Sequence, residues 1–179
     1  FHQLKFYAKS CRIYIPWLAP LYKRVPFARC LLWQARFLTD VGARKVAIGL
    51  LSDHADELTY ERDGLSWTVP VQDISVAQAH FVMPDPGRLT VAQIAGWAHK
   101  TRPLQPDNVI LEVGANIGTS TLPFAQLTPC HIVAVEPVPR NAAFLRRNIL
   151  QNNLTTRVTL VERAVAESNG EIEMIVPLF

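Results

Sequence analysis

Two carboxylates and a pair of glycines are the residues of this chain best placed to do chemistry. In "NVILEVGANIGTSTLPFA", residues 108–125, Glu112 stands just before Gly114 and Gly118, which flank Asn116. In "HIVAVEPVPRN", residues 131–141, Glu136 follows an apolar run that Pro137 brings to an end. An ionised carboxylate has two oxygens that only accept hydrogen bonds, so Glu136 suits the paired hydroxyls of a ribose. Glu112 suits a cationic ligand and would repel phosphates.

The elements that must hold these groups alternate along residues 107–179. The spacing predicts strands over 109–113, 131–135, 157–161 and 171–176, with helices over 119–127 and 141–150 between the first three. Strands alternating with helices at this spacing argue for a parallel sheet with crossovers. The run Val109, Ile110, Leu111, Val113 is apolar and branched enough for a strand covered on both faces. In such a sheet ligands bind beyond the carboxyl ends of the strands, where the 114–118 loop and Glu136 both fall.

Upstream, "ELTYERDGLSWTVPVQD" alternates on either side of Asp63-Gly64, a dipeptide that favours a tight hairpin turn, and Pro70 sends the second arm to a sheet edge. "DISVAQAHFVM" and "TVAQIAGWAHKTR" read as helices separated by "PDPG", with Thr90 as N-cap of the second. Residues 1–51 carry apolar side chains loosely at helical spacing between prolines, which predicts short amphipathic helices. Three segments result: a basic helical region over 1–57, a hairpin and helices leading into the core over 58–106, and the N-terminal half of an α/β cofactor-binding domain over 107–179.

The glycine loop discriminates between cofactors. The dinucleotide fingerprint G-x-G-x-x-G places its second glycine where the backbone approaches a pyrophosphate. Asn116 holds that position here and Thr119 holds the third, so a side chain and the Glu112 charge both oppose a pyrophosphate. S-adenosylmethionine has an ammonium, a sulfonium and a ribose but no phosphate. It meets the requirements of Glu112 and Glu136 together.

"ILEVGANIGTSTLPFA", "IVAVEPVPRNAAFLRRNILQNN" and "VTLVERAVAESNGEIEM" resemble, in order and spacing, the FkbM family of S-adenosylmethionine-dependent methyltransferases. Similar sequences show D-V-G-A-N-x-G at the first loop, E-P at the second strand end, a helix closing on N-x-x-x-N, and an alanine before a small polar turn after the third strand. Glu112 stands where aspartate is usual. The resemblance covers residues 107–174, and "YERDGLSW" looks like the family's lead-in. It implies a Rossmann-like class I methyltransferase fold, incomplete here, preceded by a helical and β-hairpin N-terminal region. It also implies that Gly114, Ala115, Asn116 and Gly118 line the methionine portion, that Glu136 binds the ribose and that Ala164 sits by the adenine. The family methylates hydroxyl oxygens of sugars and other small molecules, so a small-molecule or glycan acceptor is expected. Nothing before Phe179 matches the family's later acidic segment, so the catalytic residues are not assigned.

The net charge of +3 hides an asymmetry. Residues 1–50 carry nine Lys and Arg against the single acid Asp40, a net of +8, and the remainder carries nine against fourteen, a net of −5. Such an arm could be an ordinary solvated face, or could meet an acidic partner or a membrane surface. Cys11, Cys30 and Cys130 have neither C-x-x-C spacing nor zinc-finger histidines, so no metal site is expected and a reducing, cytoplasmic setting is the default. No apolar run approaches the ~20 residues of a membrane span. Both ends, Phe1 and "EMIVPLF", read as cuts in a longer protein.

His80, His99 and His131 are isolated and receive no chemistry; Arg140, Arg146 and Arg147 read as a solvated helix face, and Asn148 and Asn152 as a helix end in contact with solvent. Three other readings stay open: a nucleic-acid methyltransferase using the basic arm, although no nucleic-acid-binding motif is present; a noncatalytic interaction module on the same fold; and an NAD-binding oxidoreductase.

Overall fold

Asp63 and Gly64 both have positive φ, 53° and 76°, the pairing a two-residue type I′ hairpin turn demands. They join β3 (Glu57–Arg62) to β4 (Leu65–Pro70). The computed structural model describes residues 6–8, 11–14, 41–52, 55–73, 75–83 and 87–175, which divide between two units, Phe1–Pro84 and Asp85–Phe179. None of the described helices is long and apolar enough to cross a membrane.

In the first unit β1 (Phe6–Ala8), β2 (Cys11–Tyr14), β3 and β4 form an antiparallel sheet in that order, so among the described residues β4 and its Pro70 lie at an edge. The two short strands correct the expectation of helices at 6–8 and 11–14. Aromatic and β-branched residues such as Tyr7, Ile13 and Tyr14 favour a pleated surface, and the pairing of β2 with β3, and of β1 with β2, outweighs a loose helical period. Helix α1 (Val41–Ser52) is the part of the N-terminal helical expectation that falls on described residues; 15–40 lie outside them.

Leu58 and Tyr60 of β3 and Leu65, Trp67 and Val69 of β4 point inward. Phe81 of α2 (Ala77–Val82) meets Tyr60 edge-on with ring centroids 5.1 Å apart. His80 is also buried, hydrogen-bonded through Nδ1 to the Tyr60 hydroxyl. Burial, reinforced by the Arg62 guanidinium, lowers its pKa to about 3, so it stays neutral in the core. Arg62 donates to the carbonyls of His80 and Phe81, and Arg44 of α1 to that of Phe81 at 3.3 Å, so two buried cations close the carbonyl end of α2.

The second unit begins with α3 (Arg88–Thr101), whose N-cap is Gly87 rather than the expected Thr90. Gly87 takes φ 101°, which only glycine tolerates easily, and its carbonyl accepts the Val91 N–H at 2.9 Å, so the helix starts earlier. There follow β5 (Val109–Val113), α4 (Thr121–Leu127), β6 (His131–Val135), α5 (Pro139–Gln151) and β7 (Val158–Val161). The strands are parallel in the order β5-β6-β7, each joined to the next through a helix. This is a Rossmann-like α/β arrangement, as the alternation predicts.

One face of the sheet, bearing Ile132, Ala134 and Val158, is buried with Leu122, Ala125, Ala142, Leu145 and Ile149 of the two helices. The other corrects the expectation of a strand covered on both sides: Val109, Leu111 and Val113 of β5 are 60%, 65% and 58% exposed. Among the described residues β5 is an edge strand with a neighbour on one side only. Residues 171–175 form no strand either, despite their alternation, because no described strand pairs with them; Ile172 and Ile175 are exposed, and Val176 lies outside the described residues.

Candidate functional site

The loop after β5 is built from backbone hydrogen bonds that leave its own amides occupied. Gly114 and Ala115 donate to the Val135 carbonyl at the end of β6, at 2.9 and 3.0 Å. Asn116 donates its N–H to Glu136 Oε2 at 2.8 Å, and its side-chain Oδ1 accepts the Ile117 N–H at 2.7 Å. The Gly118 N–H goes to the Ala115 carbonyl at 2.9 Å. Three left-handed residues make this path, Gly114 at φ 81°, Asn116 at 51° and Gly118 at 97°, and asparagine is the side chain that best tolerates such a position.

The two glycines serve different ends. A Cβ at Gly118 would lie 2.7 Å from Leu122 Cδ1 and from Leu145 Cδ1, so this glycine lets α4 and α5 close on the loop. A Cβ at Gly114 would meet no atom within 4 Å; it would project from an exposed position at the carboxyl end of β5. Gly114 is therefore the position where a bound molecule can approach the backbone. Ala115 is buried, so it can contribute backbone but little side chain to such a site.

Glu136 is only 4% exposed. Its Oε2 takes the Asn116 N–H, and its Oε1 takes the Val138 N–H at 3.0 Å and Asn141 Nδ2 at 3.4 Å. The sequence suggests two free oxygens; the structure gives them three donors, because the loop after β5 turns the Asn116 N–H toward the carboxylate and the chain entering α5 brings the Val138 N–H and the Asn141 side chain. A carboxylate offers about four lone-pair sites, so acceptance from a further hydroxyl remains available, most readily where the long Asn141 contact yields.

Glu112 sits under the start of α4 and accepts the Thr121 hydroxyl at 2.6 Å. Burial raises its pKa, while hydrogen bonds from the Thr121 and Ser120 side chains oppose that shift. A half-buried acid below a helix N-terminus adds negative charge beneath the loop. Ala164 is half-buried within the otherwise exposed segment after β7. Nearby Glu162 pairs with Arg146 on the exposed helix face.

Asn148 is the residue that sequence reasoning misplaced. It is 0% exposed rather than solvent-facing, and its Nδ2 donates to the Ile117 carbonyl at 2.9 Å. Its spacing from the buried Leu145 was the available signal, since residues three apart on a helix share a face. Asn152 is half-buried and donates to the Asn148 carbonyl at 2.7 Å.

No family model matches the chain. It is 39% identical over 70 residues to the 2-O-methyltransferase NoeI of Sinorhizobium fredii, a match that covers 38% of this chain and 28% of that one. Among solved structures, P. horikoshii TYW2 in complex with MeSAdo superposes with a TM-score of 0.48 at 21% identity, over 65% of this chain and 39% of that one. M. jannaschii tRNA m1G37 methyltransferase does so with 0.43 at 17% identity, over 61% and 31%. The chain therefore spans well under half the length of each. The α/β assignment stands on its own strand order and crossovers rather than on these superpositions.

Proposed function

We propose that this chain carries the S-adenosylmethionine site of a methyltransferase of the FkbM kind, acting on a hydroxyl oxygen of a small molecule or sugar. The observation that carries the reading is that the amides of residues 114–118 are all consumed within the protein, by Val135, Glu136, Asn116 and Ala115. A phosphate-binding loop works by presenting free N–H groups to the anion. This loop presents two carboxylates instead, Glu112 below it and Glu136 beside it, which suits a cation with a ribose. The NoeI likeness supports methyl transfer to oxygen as the chemistry.

In this reading Glu136 accepts from ribose hydroxyls, and the bare Cα of Gly114 allows close approach of the methionine portion. Glu112 contributes negative potential toward the ammonium, Asn116 shapes the loop, and Ala164 leaves room for the adenine. Ala115 and Gly118 contribute backbone shape. Held by these residues, S-adenosylmethionine would supply an electrophilic methyl group for transfer from its sulfur to an acceptor oxygen, leaving S-adenosylhomocysteine. The protein's task is to hold both and exclude water. The basic N-terminal region over residues 1–50, net +8 in sequence, contributes Arg44 to the core of its own unit, and its other basic side chains would meet an acidic partner or membrane surface. Competition calorimetry tests the cofactor: S-adenosylhomocysteine should bind, and millimolar NAD should not displace it. Micromolar NAD affinity at the same site would replace this reading with that of an oxidoreductase.

A further inference from the structure

We infer that one stripe of α5, Asn141, Leu145 and Asn148, splints the cofactor loop in its binding-competent shape, with Asn148 as the positioning residue at its centre. The inference rests on the proposed cofactor site. The three residues lie four and three apart, hence on one helix face. Each touches a different part of the loop system. Asn141 Nδ2 reaches Glu136 Oε1 at 3.4 Å, Leu145 Cδ1 lies where a Cβ on Gly118 would be 2.7 Å away, and Asn148 Nδ2 meets the Ile117 carbonyl at 2.9 Å.

A fully buried amide is retained only where its hydrogen bonds are satisfied. The Asn148 amide has its orientation set by its partners, since the Ile117 carbonyl can only accept and Gln151 Nε2, 2.8 Å from Asn148 Oδ1, can only donate. The Ile117 backbone is thereby held by asparagines at both of its polar groups, its N–H by Asn116 Oδ1 and its carbonyl by Asn148 Nδ2. Ile117 lies between two left-handed residues, Asn116 and Gly118, a conformation that persists only where surrounding contacts enforce it. The bonds close a ring: Asn148 to Ile117, Ile117 to Asn116, Asn116 to Glu136, and Glu136 through Asn141 back to α5. Removing the Asn148 donor should therefore loosen Asn116 and, through it, the carboxylate proposed to bind the ribose.

The test compares the parent with Asn148→Ala, Asn148→Leu and, as a control on the same helix end, Asn152→Ala. Calorimetry with S-adenosylhomocysteine should show about tenfold weaker binding for both Asn148 variants and less than a twofold change for Asn152→Ala. Amide hydrogen exchange should quicken at residues 116–118 in the Asn148 variants while the centre of α5 stays protected. A role confined to helix stability would instead lower the melting temperature of all three variants without separating their affinities or loop exchange. Parental affinity in the Asn148 variants overturns the inference while leaving the cofactor site standing. If the parent itself binds no S-adenosylhomocysteine, the cofactor reading fails, and the loop exchange alone decides whether Asn148 holds the loop. Should both Asn148 variants fail to fold, the side-chain amide protons of Asn148 in the parent supply the answer. They should exchange more slowly with S-adenosylhomocysteine bound, and unchanged protection refutes the splint.

Discussion

Replacing Glu136 with alanine should damage stability and cofactor binding together, because the carboxylate that organises the loop is also the one proposed to accept from the ribose. Its oxygens hold the Asn116 N–H at 2.8 Å and the Val138 N–H at 3.0 Å, with Asn141 more distant at 3.4 Å. Hydrogen bonds to charged groups contribute about 1.5–3 kcal/mol each, and a buried donor left unpaired costs about 1–3 kcal/mol. Water can enter the space that the side chain vacates, which offsets part of this. The two short bonds then amount to about 2–4 kcal/mol of lost stability, before any ligand is considered. Loss of the ribose acceptor and of the loop shape should weaken S-adenosylhomocysteine by about 10-fold to 100-fold. Glu136→Gln separates the effects, since one amide oxygen can satisfy one of the two backbone donors while its NH2 opposes the other; it should fall between parent and alanine in both measures. Chemical denaturation and calorimetry on the three proteins provide the readout. If Glu136→Ala unfolds at the parental midpoint and binds as tightly, the carboxylate neither holds the loop nor meets the ligand.

Gly118→Ala should destabilise the protein by about 2–4 kcal/mol, from the left-handed φ together with the contacts to Leu122 and Leu145. Gly114→Ala, strained at φ 81° but with open space before it, should lose only about 1–2 kcal/mol yet bind cofactor much more weakly; equal losses of stability in a denaturation series would contradict the division of labour between the two glycines. Because the folded-state pKa of Glu112 is raised, its contribution favours folding below the unfolded value of 4.5 and is lost as pH rises through the folded pKa. Glu112→Gln should remove that downward slope above pH 4.5, and a variant with the parental pH profile would show that the group does not titrate abnormally.

The loop and the Glu136 position were legible because their signals are local: glycines at left-handed positions, a carboxylate at a strand end and a proline after it. The strand and helix alternation from residue 109 onward was legible for the same reason, through runs of branched apolar residues separated by helical periods. What the carboxylate does with its oxygens was not, since its partners are backbone N–H groups, which no side-chain pattern announces. Asn148 was misplaced because a polar residue near a helix end ordinarily faces water, and only the approach of the 114–118 loop turns that face inward. The strand at 11–14 pairs with β3, some 50 residues away, and the strand at 6–8 is built onto it in turn, so a local reading misses both. Residues 171–175 show the converse: alternation alone makes no strand where no partner edge is described.

An amide chemical-shift titration with S-adenosylhomocysteine tests the central claim most directly, because it asks both whether the cofactor binds and where. The account predicts saturable shifts concentrated at Gly114, Ala115, Asn116, Glu136 and Ala164, with the hairpin of β3 and β4 unmoved. No saturable change, or saturation with shifts confined to residues away from the carboxyl ends of β5, β6 and β7, would contradict it.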